Sequence, residues 1–295
     1  MKNKNMTALV SCFVRAYHYK NNSFRIFSDP LAEKILSREE YGNIAANMSA
    51  GIKFFSPDFS GTEEEALKLI VDNQLSPSVL GRSAFCEKAL INEIRLGCNQ
   101  YIMYASGYET LAYKECFAGL KIFEIDRKEM IEDKLRRLKA CDADISNADF
   151  IECDFSKENP GKKISERNFD PKKKSFNSLL GISYYLSNTE FSDMIKSISD
   201  ITCEGSCIVF DYPTFQRGKE ARLNEKLAEG ANEKMKSKYT YEEIEKILSD
   251  NGFLIYEHLD DGQMTKNYFE AYNLLNPNNK IAAPKGTAYC LAVKK

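Results

Sequence analysis

Two small residues and a distant carboxylate carry the first chemical signal. Ser106 and Gly107 follow a short apolar run at 101–105, and Asp126 lies 19 positions beyond Gly107, where a second apolar run at 120–125 ends. Small turn residues let a ligand approach the backbone closely. An acid about 20 residues past such a turn is placed to accept hydrogen bonds from a ribose diol. The order strand, turn, helix, strand, acid points to a cofactor that contains adenosine. A dinucleotide pyrophosphate asks for a GxGxxG turn and a helix N-terminus aimed at it, and this turn offers Gly107 alone. A ligand without phosphate, such as S-adenosylmethionine, asks less. An ordinary strand-turn-helix of any α/β protein would read the same over this window.

Other chemistries find little support. The cysteines, at 12, 86, 98, 116, 141, 153, 203, 207 and 290, form no C-x-x-C pair, and the histidines are only His18 and His258. Zinc-type spacing is therefore absent, and the pattern reads as reduced, buried thiols in a cytoplasmic protein. The 41 basic and 43 acidic residues give a formal charge of −2, which supplies no global attraction to nucleic acid or an anionic membrane. No apolar run approaches the ~20 residues that span a bilayer. The N-terminus has a short apolar patch without a small-residue cleavage site, so it does not read as a signal peptide.

The elements that must position this turn follow from periodicity. Helix-like spacing covers 9–19, 30–37, 62–73 and 83–96, with Gly97 at a C-cap position. From 100 onward strands and helices alternate. Strands are expected at 101–105, 120–125, 149–153, 176–183, 205–211, 252–258 and 287–293, and helices at 109–116, 127–139, 188–200, 217–236 and 240–250. Such alternation implies an α/β fold with a mostly parallel sheet and helices on both faces. The segment 259–285 is too irregular for a full crossover helix, so the last strand is expected to insert antiparallel. The charged stretch 156–175 reads as a solvated loop. The division expected is a helical cover over 1–98 and a Rossmann-like core over 99–295, in one compact domain.

The ordered motifs resemble the leucine carboxyl methyltransferase-like branch of the class I S-adenosylmethionine-dependent methyltransferases. FRIFSDPLAEKIL at 24–36 resembles the family's N-terminal segment, and GRSAFCEKAL at 81–90 its arginine-bearing helix. YASGYETLAYK at 104–114 is similar to its LGAGLDTRAYR turn. FEIDRKEMIEDKLRRL at 123–138 and ECDFS at 152–156 resemble its second strand and the end of its third. The likeness runs from about Arg15 to Asp211 and implies a seven-stranded sheet with its last strand antiparallel, under an N-terminal helical lid.

The resemblance also implies roles. Arg82 would hold the cofactor carboxylate, since a guanidinium fork suits it. Ala105, Ser106 and Gly107 would meet the methionine portion, Asp126 the ribose, and Glu124 would support that site. Asp154 would accept from the adenine amine while Phe155 covers the ring. SFNSLLGISYYLSNTEF at 175–191 matches the family's AEGVLMYL pattern at Gly181, Tyr185 and Leu186, but Leu180 stands where relatives carry an acid near the cofactor amine. Ala105 replaces the first glycine of the turn. Arg15, Tyr17, His18, Tyr184 and Tyr185 are the candidates for the acceptor pocket, His18 as a possible base. The activity implied is O-methylation of a carboxylate or hydroxyl on a small molecule, with no nucleic-acid or membrane partner. A degenerate fold that binds without turnover and a nicotinamide oxidoreductase are the alternatives.

Overall fold

Apolar runs without polar alternation build the centre of the fold. In this computed structural model, which describes residues 6–216, 218, 223, 226, 229 and 235–295, β1 (Gln100–Tyr104), β4 (Ser175–Leu179) and β5 (Cys207–Pro213) are buried along their whole length. Parallel strands covered on both faces have this character. With β2 (Lys121–Asp126), β3 (Ala148–Glu152), β6 (Phe253–Leu259) and β7 (Thr287–Lys294), they form one sheet of order β3-β2-β1-β4-β5-β7-β6. The first five strands pair in parallel, and β7 runs antiparallel between β5 and β6. The expected antiparallel insertion is what the chain does.

Side-chain alternation divides the core into two layers. Tyr101 and Met103 of β1 pack with Phe13, Leu80 and Phe85 of the N-terminal helices, whereas Ile102 and Tyr104 join Phe191, Ile195 and Ile244 on the other face. The N-terminal helices are α1 (Met6–Asn21), α2 (Pro30–Ile35), α3 (Arg38–Ala50), α4 (Ile52–Phe55), α5 (Glu63–Ile70) and α6 (Ser76–Arg95). α7 (Lys128–Ala140), α8 (Pro160–Ser165) and α9 (Asn188–Ile201) follow in the core, then helix Tyr241–Asp250.

Four expectations need correction. The helix expected over 109–116 is instead two short 3-10 turns, Leu111–Tyr113 and Glu115–Phe117. The Glu109 carboxylate accepts the Thr110 and Leu111 N–H groups at 2.9 and 3.2 Å, and the Thr110 hydroxyl donates to Asp29 at 2.6–2.7 Å. Side-chain bonds to the backbone thus replace the helical ladder. The strand expected over 176–183 stops at Leu179, because Gly181 turns the chain at φ +67°. The solvated loop at 156–175 contains α8, which buries Ile164 and is capped by Asn159. α3 was not anticipated, although its Ser37–Glu40 capping box is visible in the sequence. The helix expected over 217–236 falls largely outside the described residues.

Candidate active site at the carboxyl ends of the strands

Strand order reverses between β1 and β4, and open α/β sheets bind ligands in the crevice at such a point. The turn after β1 lies there. Ala105 and Gly107 both adopt positive φ, 51° and 47°. Asp126, at the end of β2, accepts the Gly107 N–H at 2.8 Å through Oδ2 and the Arg127 N–H at 2.7 Å through Oδ1. Burial pushes its pKa up from the usual carboxylate value, opposed by these two bonds. The Ser106 Oγ is buried without a hydrogen-bond partner. An orphaned hydroxyl beside a backbone-held carboxylate is a polar cradle that lacks its complement. The chemistry of this donor set fits the polar parts of an adenosyl amino acid.

A second cluster forms where β4, β5 and α6 converge. Arg82 of α6 donates to the Ser11 hydroxyl at 3.2 Å and stands 3.9 Å from the Asp211 carboxylate. A Cβ built on Gly181 would come within 2.5 Å of Arg82 Nη1, so the guanidinium lies directly against this turn. Asp211 accepts the Gly181 N–H at 2.6 Å and the Tyr184 hydroxyl at 3.0 Å. Burial, then the Asp211 charge, raises the Tyr184 pKa well above that of an ordinary tyrosine. It therefore stays a protonated hydrogen-bond donor at neutral pH.

From Arg82, Gly181, Tyr184 and Tyr185 a cavity of about 740 Å³ extends under the N-terminal helices. Its walls are largely apolar, with Leu9, Val10, Ile44, Met48, Phe54 and Val79 among them. Tyr184 and Tyr185, two of the residues singled out in the sequence, line this cavity.

Arg15, Tyr17 and His18 do not line this cavity. Arg15 is buried, pairs with Asp29 at 2.7 Å and donates to the Tyr108 carbonyl at 2.6 Å. Tyr17 packs in the core beside Phe13. His18 is fully buried, its Nε2 accepting the Ile26 N–H at 3.0 Å, and burial lowers its pKa to about 4. All three lie in the stretch 12–18 of α1, where every residue is buried.

Glu124 is also directed elsewhere. It is completely buried, paired with Lys134 of α7 and bonded by the Tyr113 hydroxyl. Asp154, two residues past the end of β3, sits in a self-bonded turn, accepting from Ser156 at 2.6 and 3.1 Å and pairing with Lys157 at 2.8 Å. Phe155 packs half-buried against the second core layer, and Leu180 half-buried against the first. Asp211 was missed as a site residue. The available signal was a lone acid near the end of the apolar run CIVFDYP.

A sheet of this order, covered on both faces and with its polar clusters at the carboxyl ends, is the class I methyltransferase fold. The sequence profile of the leucine carboxyl methyltransferase family matches residues 8–199, and the chain belongs to that family. It is 33% identical over 303 residues to the "Putative S-adenosyl-L-methionine-dependent methyltransferase YktD" of Bacillus subtilis (strain 168), with 98% of each chain covered. In fold it is similar to a DUF574 family protein from Streptomyces avermitilis, at a TM-score of 0.61, 12% identity and 97% coverage of both chains. A structure described as a "putative methyltransferase" from Thermobifida fusca superimposes at a TM-score of 0.59 with 16% identity, over 85% of this chain and 94% of that one. By family the chain is an S-adenosylmethionine-dependent methyltransferase. That sets aside the nicotinamide oxidoreductase alternative.

Proposed function

We propose that this chain methylates a carboxylate or an acidic hydroxyl on a small molecule with a largely apolar body. The cavity that begins at Gly181 and Tyr184 and continues between apolar walls carries this reading. In the same reading Asp126 accepts from the ribose hydroxyls, the turn 105–107 meets the methionine portion, and Arg82 takes the cofactor carboxylate. Asp154 and Phe155 are assigned to the adenine, and residues 1–98 act as a cover on the core 99–295.

When bound, the cofactor supplies an electrophilic methyl: an acceptor oxygen lone pair makes the C–O bond as the C–S bond breaks and its electrons return to sulfur. The chain's task is to hold acceptor and donor in line, where orientation can supply ~7–11 kcal/mol. Among the described cavity residues none is poised as a general base near neutral pH. Tyr184 is held protonated, and Glu40 is kept ionised with a pKa of about 2 by its bond to Arg137. An acceptor oxygen that ionises unaided needs no base. The Tyr184 hydroxyl can orient such an oxygen.

The experiment is methyl transfer from methyl-labelled S-adenosylmethionine to a panel of apolar acids, phenols, alcohols and amines. Labelled methyl esters or aryl ethers are expected. Transfer confined to amines, or to a protein C-terminus, would overturn the reading. In the same assay system Asp126→Ala should weaken cofactor binding about 10- to 100-fold, the equivalent of ~1.5–3 kcal/mol for a charge-assisted hydrogen bond. Calorimetry on the folded variant with unchanged affinity would remove the ribose assignment.

A further inference from the structure

The acid implied at position 180 is absent, yet a carboxylate stands at the same level of the sheet. Leu179 of β4 pairs with Phe210 of β5, so residue 180 lies beside Asp211 on the neighbouring strand. We propose that Asp211 holds the ammonium group of the cofactor and forms, with Arg82, a clamp for a zwitterion. The inference rests on the placement of the cofactor carboxylate at Arg82 proposed above.

Three observations support it. First, Asp211 is fully buried, and both its oxygens already accept from fixed neutral donors, the Gly181 N–H and the Tyr184 hydroxyl. These donors aim the carboxylate without neutralising it. Second, its cationic partner among the described residues is Arg82, at 3.9 Å. That separation is too long for a hydrogen bond. A buried carboxylate facing an arginine it does not touch is a costly arrangement, because the Coulomb gain is incomplete while desolvation has been borne. Third, the lack of a Cβ at Gly181 lets the Arg82 guanidinium lie against the same turn whose N–H Asp211 accepts, which brings both charged groups to one point of the chain.

An amino-acid zwitterion resolves this arrangement. Its carboxylate gives Arg82 a bidentate partner, and its ammonium gives each remaining acceptor position of Asp211 a charged donor. One loose ion pair is exchanged for two close ones. Asp211 thus does from β5 what the resemblance assigns to β4, and Leu180 is released to pack in the core.

The test uses the full chain and three ligands in calorimetry. S-adenosylhomocysteine carries both charges, decarboxylated S-adenosylhomocysteine keeps only the ammonium, and 5′-methylthioadenosine has neither. Asp211→Asn, which preserves shape, should weaken the first two about 10- to 100-fold and leave methylthioadenosine nearly unchanged. Arg82→Ala should weaken S-adenosylhomocysteine and spare the decarboxylated ligand. Equal losses on all three ligands in Asp211→Asn, or an unchanged decarboxylated ligand, would overturn the clamp. The wild type provides an independent reading: the decarboxylated ligand should bind more tightly than methylthioadenosine, and no gain there also overturns it. A wild type that binds methylthioadenosine and not S-adenosylhomocysteine overturns the Arg82 placement as well, and one that binds none of the three overturns the cofactor site itself.

Discussion

Ala105 occupies a left-handed conformation, φ 51°, at the position where the family's turn has glycine. For a residue with a Cβ this costs roughly 1–2 kcal/mol, offset in part by the smaller chain entropy of alanine. Ala105→Gly should therefore raise the unfolding free energy by about 1 kcal/mol in urea titration, with an unchanged slope. A lower midpoint would show that the turn is not strained. His18 gives a pH signature at the same scale. Its pKa is about 4 when folded and near 6.5 unfolded, so the unfolded chain binds more protons between these values. Stability is then full above about pH 6.5 and falls by about 3 kcal/mol as pH drops toward 4. Denaturation curves at several pH values should show His18→Gln with a flatter acid limb than the wild type. An identical limb would place the titration elsewhere. The contact between the turn at Gly107 and Asp126 was legible because the two lie close in sequence. Arg15 and His18 were not, because residue type does not say which face of α1 turns inward.

At the scale of elements, α1 and the turn after β1 are fastened by one buried arginine. Arg15 joins Asp29 at 2.7 Å, the Tyr108 carbonyl at 2.6 Å and Glu109 at 3.7 Å. Removing it leaves two carboxylates and a carbonyl without their cation. Breaking a buried pair in this way costs about 3–5 kcal/mol, so Arg15→Met should lower stability by that order in chemical denaturation, while Arg15→Lys should lose less. A loss below about 1 kcal/mol, the usual value of a surface ion pair, would show that the network does not fasten α1 to the turn after β1. The strands of the sheet were legible because continuous apolar runs suit parallel strands. The 3-10 turns at 111–117 were not, since they depend on Asp29, which is remote in sequence. α3 carried its capping box in plain sight, yet its apolar periodicity is weak because only Ile44 and Ser49 are buried.

For the whole molecule, the cavity is bounded on one side by strand ends and on the other by α1, α3 and α4. These walls differ in how they are held. The inward half of α1 is fixed through Arg15, and α3 is tied at its start by Glu40, which receives two bonds from Arg137 at 2.6 and 2.7 Å. The first turns of α1 and the end of α3 face the cavity itself, through Thr7, Val10, Asn47 and Met48. A cover that excludes water on closure should accordingly move at its cavity edge and not as a body. Hydrogen exchange with and without S-adenosylhomocysteine tests this. Amides of 104–126 should slow on ligand addition, and those of 6–11 and 47–55 should slow with them. Amides of 12–21 should already be protected without ligand, because local opening there must break the Arg15 network. Ligand-dependent slowing spread evenly across 6–50 would mean that the helices close as one rigid lid. No slowing outside 104–126 would mean that the cavity is preformed and the N-terminal helices do not act as a cover.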